Sequence, residues 1–250
     1  MLTENVLGNY TFIRGIGPFS SGVVARPGFE IVHAALKPFI PLEDGYRLID
    51  RHLKDHRRPI NALCGIHLRI PKALSREGFD QFNRPYIDRL RSWGLETDGA
   101  NPVTRTNVAL ELNPVPEPML AGFFYTIPSD GRATTFVISG APEIASLDGG
   151  MTQIVARGDT SAEGMRKKAA CVIEVLGARL AEMRVGWEDA TAINLYTVHD
   201  PHPLIVSTLI PALGRASHAG ITWHYARPPV TGLELEIDLH AVRTELIVSA

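Results

Sequence analysis

Cysteine is scarce in this sequence. There are two, Cys64 and Cys171, and each sits inside an apolar segment. Two isolated thiols make no disulfide framework, and a reducing cytoplasm is the simpler setting for them. An excess of charge is missing too: 25 basic and 27 acidic residues leave a formal net charge of −2, and no basic patch stands out. Nucleic acid is therefore not an expected partner. No apolar run approaches the roughly 20 residues needed to span a bilayer, so no membrane partner is expected. The opening MLTENVLGNY has no basic stretch followed by an apolar run and does not read as a secretory signal. A cytoplasmic globular protein is the expectation. Its 250 residues suit one large domain or two of about 110–130 residues.

What is present is one order of elements, met twice. SGVV (Ser21–Val24) and FEIVHAAL (Phe29–Leu36) read as a β-hairpin across ARPG. In Leu42–Asp55, Leu42, Tyr46, Ile49 and Leu53 recur at helical spacing. INALCGIHLRIP (Ile60–Pro71) reads as a strand. Arg76–Leu95 reads as a helix that Pro85 should kink or interrupt. VTRTNVALEL (Val103–Leu112) and MLAGFFYTI (Met119–Ile127) read as two strands joined by a proline-rich turn. The second half begins with the strand TTFVISGA (Thr134–Ala141). The helix Thr160–Met183 follows, with Thr160 and Glu163 spaced as a capping box. Then come the strand Ala192–Asp200, a helix over Pro203–Gly214 containing Pro211, and the strands Gly220–Arg227 and Leu233–Val242. The polar turn Pro128–Arg132 is the natural junction. The repeat predicts two modules, 1–128 and 133–250, each a small mixed sheet with two helices on one face. The bare sheet faces need covering, so association of modules and an oligomer are expected.

Several segments in this order resemble the Rid family, the reactive-intermediate (enamine/imine) deaminases also called YjgF-type proteins. In the second half they are FVISGAPE, the capped helix TSAEGMRKKAACVIEVLGARL, AINLYTVHD and GLELEIDLHAVR. In the first half they are IGPFSSGVV (Ile16–Val24) and TRTNVALEL. As a unit, the chain resembles the two-module aminomuconate deaminases. The resemblance implies an α+β fold of two chorismate-mutase-like modules and a trimer of two-module chains, six modules in two rings. It implies sites in clefts between modules. It also implies cofactor-independent hydrolysis of a 2-aminomuconate-type enamine, with the 5-chloro compound one candidate, to the 2-hydroxy or 2-oxo dicarboxylate and ammonia. The partner would be a small carboxylated enamine. The family's carboxylate-gripping arginine falls on Arg105; its second-half counterpart lies near His218, where no arginine stands. The family's water-holding acid falls on Glu236, with Leu120 as its first-half counterpart. The family's opening aromatic falls on Phe19, which lacks a hydroxyl.

Read as residues, these positions keep more than one meaning. Arg105 is either a solvated charge at a strand end or a fork matched to a carboxylate. Asn107 leaves the strand on the same face and either bonds a substrate oxygen or is a surface amide. Glu111 shares that face and reads as solvated. His33 is either a hydrogen-bonded strand histidine or a proton relay. Glu234, Glu236 and Asp238 alternate with leucine and isoleucine, so they form either a wet strand face or, with Glu236 as acid and His224 or His218 beside it, part of a site. Cys64 reads as an inert core thiol. The glycines of GIGPFSSG lack the lysine and spacing of a phosphate loop. HDPH (His199–His202) reads as a capped turn, and His52 with His56 as a solvated basic helix end. Two rival functions stand beside the deaminase: a non-catalytic binder of carboxylated metabolites, and an isomerase or hydrolase of another ring-cleavage product.

Overall fold

A computed structural model describes residues 2–15, 17–146 and 152–249; Ile16, at the head of the family-like opening segment, lies outside them. The strands are β1 (Leu2–Asn5), β2 (Tyr10–Ile13), β3 (Gly22–Ala25), β4 (Phe29–Pro41), β5 (Leu63–Ile70), β6 (Thr104–Leu110), β7 (Met119–Pro128) and β8 (Phe136–Pro142). After them come β9 (Ile144–Ser146), β10 (Thr152–Ile154), β11 (Ala192–Tyr196), β12 (Thr222–His224), β13 (Ala226–Arg227), β14 (Glu236–Ala241) and β15 (Thr244–Val248).

Helical spacing sets the first helix. α1 spans Leu42–Asp55 and buries Tyr46, Ile49 and Leu53 on one face, with Glu43 and Asp44 at its positive end. α2 spans Arg76–Ser92, and its first turn is held by Ser75, whose Oγ accepts the Gly78 N–H at 3.0 Å. Pro85 does not interrupt it. Proline costs the Gln81 carbonyl its partner, but both residues are exposed, so the interruption falls on the solvent side of the helix. α3 spans Ala162–Met183 and starts one residue later than expected. Ser161, not Thr160, is the cap: its Oγ accepts the Gly164 N–H, while Asp159 accepts the Ser161 N–H and fixes the turn. Glu163 pairs with Arg166 instead of returning to the cap. The helical segment 202–213 accommodates Pro211 by widening into a π turn over Ile205–Leu209.

Two sheets result, and each mixes strands from before and after the junction. The first runs β1-β2-β3-β8-β14-β11-β12 and the second β13-β6-β5-β7-β4-β15. The expected hairpin of β3 and β4 does not form. β3 pairs with β2 and β8, and the turn Arg26–Phe29, with Gly28 at φ +84°, carries the chain across to the other sheet. The stretch read as one strand over Gly220–Arg227 is likewise divided: β12 lies beside β11, and β13 beside β6.

Helices α1 and α2 cover the outer face of the six-stranded sheet through Ile49, Tyr86, Ile66, Leu68 and Phe123. Helix α3 and the segment 202–213 cover the seven-stranded sheet through Leu176, Leu180, Leu209, Ile237 and Leu239. The inner faces meet through Tyr10, Phe12, Val23, Phe124 and Val137. Each of these large side chains contributes roughly 1.5–3 kcal/mol by leaving water. The fold is α+β, with helices outside and two sheets within. The sheets cover each other inside one chain, so the inner face of β14 is not wet: Glu236 is 3% and Asp238 1% exposed. Among the described residues, no helix is long and apolar enough to cross a membrane.

Candidate active site

Strand alternation sends alternate residues to opposite faces. On β5, Ile66 and Leu68 enter the helix-covered core, which leaves His67 and Arg69 facing the other sheet. On β14, Ile237 and Leu239 face α3, which leaves Asp238 and His240 inward. His33 of β4, Asn194 and Tyr196 of β11 and His224 of β12 project into the same gap. With His67, Arg69 and His240 they line a cleft of about 490 Å³ between the sheets, with Arg243 and Glu245 also in its wall and Asp238 buried behind it.

Two hydrogen-bond systems hold the imidazoles. His33 Nδ1 lies 2.7 Å from Glu245 Oε1, and its ring stacks on Phe124 at 4.3 Å between centroids. Across the cleft, His224 Nε2 lies 3.1 Å from Asn194 Oδ1, and Asn194 Nδ2 donates to Asp238 Oδ1 at 2.7 Å. Tyr196 donates its hydroxyl to Asp238 Oδ2 at 3.0 Å, and His67 Nε2 stands 3.6 Å from that oxygen. Burial pushes all four imidazoles below their ordinary range, most strongly His67 and, to about 3, His240. In His33 the bond to Glu245 opposes the burial, whereas His67 and His240 are lowered further by neighbouring cationic forms. At neutral pH the cleft therefore holds neutral bases beside a guanidinium. Arg69 donates to the Leu68 carbonyl at 2.9 Å and lies near the Phe39 and Tyr196 rings. The set combines anion binding with proton acceptance.

Arg105 is on the opposite face of the neighbouring strand β6. It is 3% exposed, so it is not a solvated strand-end charge. Phe19, Phe79, Phe82 and Tyr86 surround its guanidinium at 4.6–5.7 Å, and Nη2 donates to Asn83 Oδ1 at 2.6 Å. Nη1 and both polar atoms of the Asn107 side chain are buried without hydrogen-bond partners among the described residues. The enclosure depresses the arginine's basicity through burial, against the attraction of Tyr86, Tyr46 and Glu236. Glu236 is raised to about 8 by burial and by repulsion from Asp238 and Glu143, offset by Arg105 and Arg179. Its carboxyl lies over Gly140, where a Cβ would collide with Oε1.

Of the residues singled out in the sequence, the structure brings His33 and His224 together in the cleft, and Phe19 to Arg105. It leaves His218 exposed on the 3₁₀ turn Gly214–Ala219. Glu111 is bound by Arg227 in two hydrogen bonds at the edge of the fold. His52 is half-buried against Phe123 and Tyr125 and lowered to about 4, so the helix end it marks is not simply solvated. Asp200 accepts the His202 N–H, the turn expected of HDPH. Cys64 is fully buried, and burial raises its thiol. Asp238, read with Glu236 as one face of an alternating strand, joins the histidines here, whereas His67, Arg69, Asn194, His240 and Glu245 had no part in the sequence reading. The signal for two of them was present in GIHLRI, where a histidine and an arginine alternate with aliphatic residues. Among the described residues, no cluster of His, Cys, Asp or Glu is arranged to hold a metal ion. A second hollow of about 590 Å³, near Ser75, Ile154 and Leu233, is lined by no imidazole or carboxylate.

A family described as 2-aminomuconate deaminase CnbZ matches residues 2–246 of this chain. The 2-amino-5-chloromuconate deaminase of Comamonas testosteroni is 35% identical over 247 residues, 96% of each chain. Among solved structures, a chorismatase aligns with a TM-score of 0.46 at 13% identity, over 89% of this chain and 77% of its own. A Rid-family protein from Yersinia pestis aligns with a TM-score of 0.33 at 18% identity, over 47% and 84%. The sequence matches, not these low structural scores, carry the assignment.

Proposed function

Since the chain belongs to the 2-aminomuconate deaminase CnbZ family, we propose that it hydrolyses a 2-aminomuconate-type enamine in the cleft between its two sheets. The products are the 2-hydroxy or 2-oxo dicarboxylate and ammonia. The observation that supports this reading best is the placement of Arg69 among neutral imidazoles. An enamine dicarboxylate needs a cation for its acid groups and a base for water, with little covalent chemistry. Arg69 anchors one carboxylate, and Lys37 or Arg243 at the rim receives the other. Tautomerisation gives the imine, water adds to its carbon, and the carbinolamine expels ammonia. His33 and His224 handle the protons. The 5-chloro compound is a substrate by likeness to the Comamonas testosteroni relative.

A second reading keeps the carboxylate anchor at Arg105. It is favoured by a buried guanidinium whose Nη1 has no partner, and which contacts no carboxylate, among the described residues. Incubation of purified protein with 2-aminomuconate, with and without the 5-chloro substituent, tests the deaminase reading through ammonia release. Release no faster than the spontaneous rate for both compounds overturns it.

A further inference from the structure

We propose that Glu245, on β15, is the positioning residue that makes His33 the general base of this cleft. The choice of reaction rests on the deaminase reading above, but the His33–Glu245 pair stands on geometry. β15 runs parallel to β4 and sets Glu245 opposite His33. Glu245 Oε1 then meets His33 Nδ1 at 2.7 Å. An ionised carboxylate only accepts hydrogen bonds, so the proton sits on Nδ1 and the lone pair on Nε2.

The surroundings hold that orientation. Phe124 stacks under the ring with an interplanar angle of 12°. At Gly122 of β7 a Cβ would stand 2.9 Å from Nε2, so the glycine makes room for the imidazole. Nε2 is buried and has no hydrogen-bond partner among the described residues, which leaves its lone pair unused. The charged and titratable groups facing the ring come from three strands: His67 and Arg69 on β5, Asp238 and His240 on β14, and Glu245 on β15. Lys37, further along β4, and Arg243, just before β15, complete the set around the cleft. β7 contributes only Phe124 and Gly122. Burial keeps the imidazole neutral, and the Glu245 charge restores part of its affinity for a proton. The Asp238 charge also raises His240, but among the described residues neither His67 nor His240 has a carboxylate within hydrogen-bond distance to fix its tautomer.

Water attacks the protonated imine carbon; the new C–O bond forms as the C=N π pair moves to nitrogen, and Nε2 takes the water's proton. The imidazolium returns that proton to the amino nitrogen. The C–N bond breaks with its electron pair on the departing ammonia, the hydroxyl gives up its proton, and a ketone and ammonium remain.

Glu245 has a side chain 58% exposed, so its variants are expected to fold. Glu245→Ala should lower kcat for ammonia release about 100-fold, with KM changed less than about twofold. Glu245→Gln keeps an acceptor but loses the charge; kcat should fall about tenfold and the acid limb of its pH profile should move to lower pH. Unchanged kcat and acid limb in both variants overturn the proposal. The second measurement is nitrogen NMR of His33. The wild type should carry its proton on Nδ1, and Glu245→Ala should shift the population toward Nε2–H. A wild-type His33 protonated on Nε2 overturns the pair whatever the activity. A wild type that releases no ammonia overturns the deaminase reading instead and leaves the pair to be judged by NMR.

Discussion

The cleft and the Arg105 enclosure lie on opposite faces of neighbouring strands, β5 and β6. Both contain a nearly buried guanidinium. Arg69 opens onto a hollow shared with imidazoles and the Glu245 carboxylate. Arg105 is walled by four aromatic rings and hydrogen-bonded to a single amide. The rings return part of its lost hydration, roughly 0.5–2 kcal/mol per cation–π contact. A buried cation thus marks a place for an anion, but a cation among neutral bases is already equipped to turn one over.

The largest effect should come from Arg69. Arg69→Ala removes the proposed carboxylate anchor, and kcat/KM for 2-aminomuconate should fall by ~10²–10³, or roughly 3–4 kcal/mol. Steady-state kinetics on Arg69→Ala and Arg105→Met side by side break the comparison one way or the other. Loss with Arg105→Met and none with Arg69→Ala transfers the anchor to the enclosure. The next effect concerns Glu236, which faces the other sheet yet is coupled to Arg105. Its folded carboxyl titrates at about 8, above its ordinary 4.5. The stability this gives is full below pH 4.5 and is lost as pH rises toward 8. Glu236→Gln should remove that slope, a gain on the order of 3 kcal/mol at pH 7.5 relative to pH 4.5 in urea unfolding.

His240 titrates in the opposite sense. Its imidazole is held at about 3, below its ordinary 6.5, so its contribution is present above pH 6.5 and is lost as pH falls. His240→Phe should reduce the acid sensitivity of the fold by about 2 kcal/mol between pH 7 and 4.5, read from denaturation at the two values. The smallest effect is expected at Arg105. Replacing an enclosed cation that lacks an ion-pair partner by Met should leave stability unchanged or raise it by about 1 kcal/mol. A loss above about 3 kcal/mol would show the guanidinium to be an essential part of the packing.

Residues with a local cause were legible in the sequence. Leu42, Tyr46, Ile49 and Leu53 placed α1 because burial on one helix face needs no information from elsewhere in the chain. The order of the long helices and the strands between them followed for the same reason, but the short strands β1, β2, β9, β10 and β15 carry too little pattern to be read. Alternation in LELEID identified a two-faced strand but not what covers its polar face. Water and a second sheet leave the same pattern, and here the second sheet turns the acidic face into buried Glu236 and Asp238. Sheet membership was hidden as well. β3 and β4 look like a hairpin because they are close in sequence, and only the partners β8 and β7 show that they part. Half the cleft was missed because Glu245 meets His33 through pairing of strands distant in sequence.

That distance has a consequence for synthesis. His33 and Glu245 are 212 positions apart, on strands made near the beginning and the end of this sequence. Long-range pairing of this kind comes late and slowly. A ribosome that has delivered β4 must deliver nearly everything else before the carboxylate can reach the imidazole. A chain cut short before β15 lacks the carboxylate that meets the His33 imidazole.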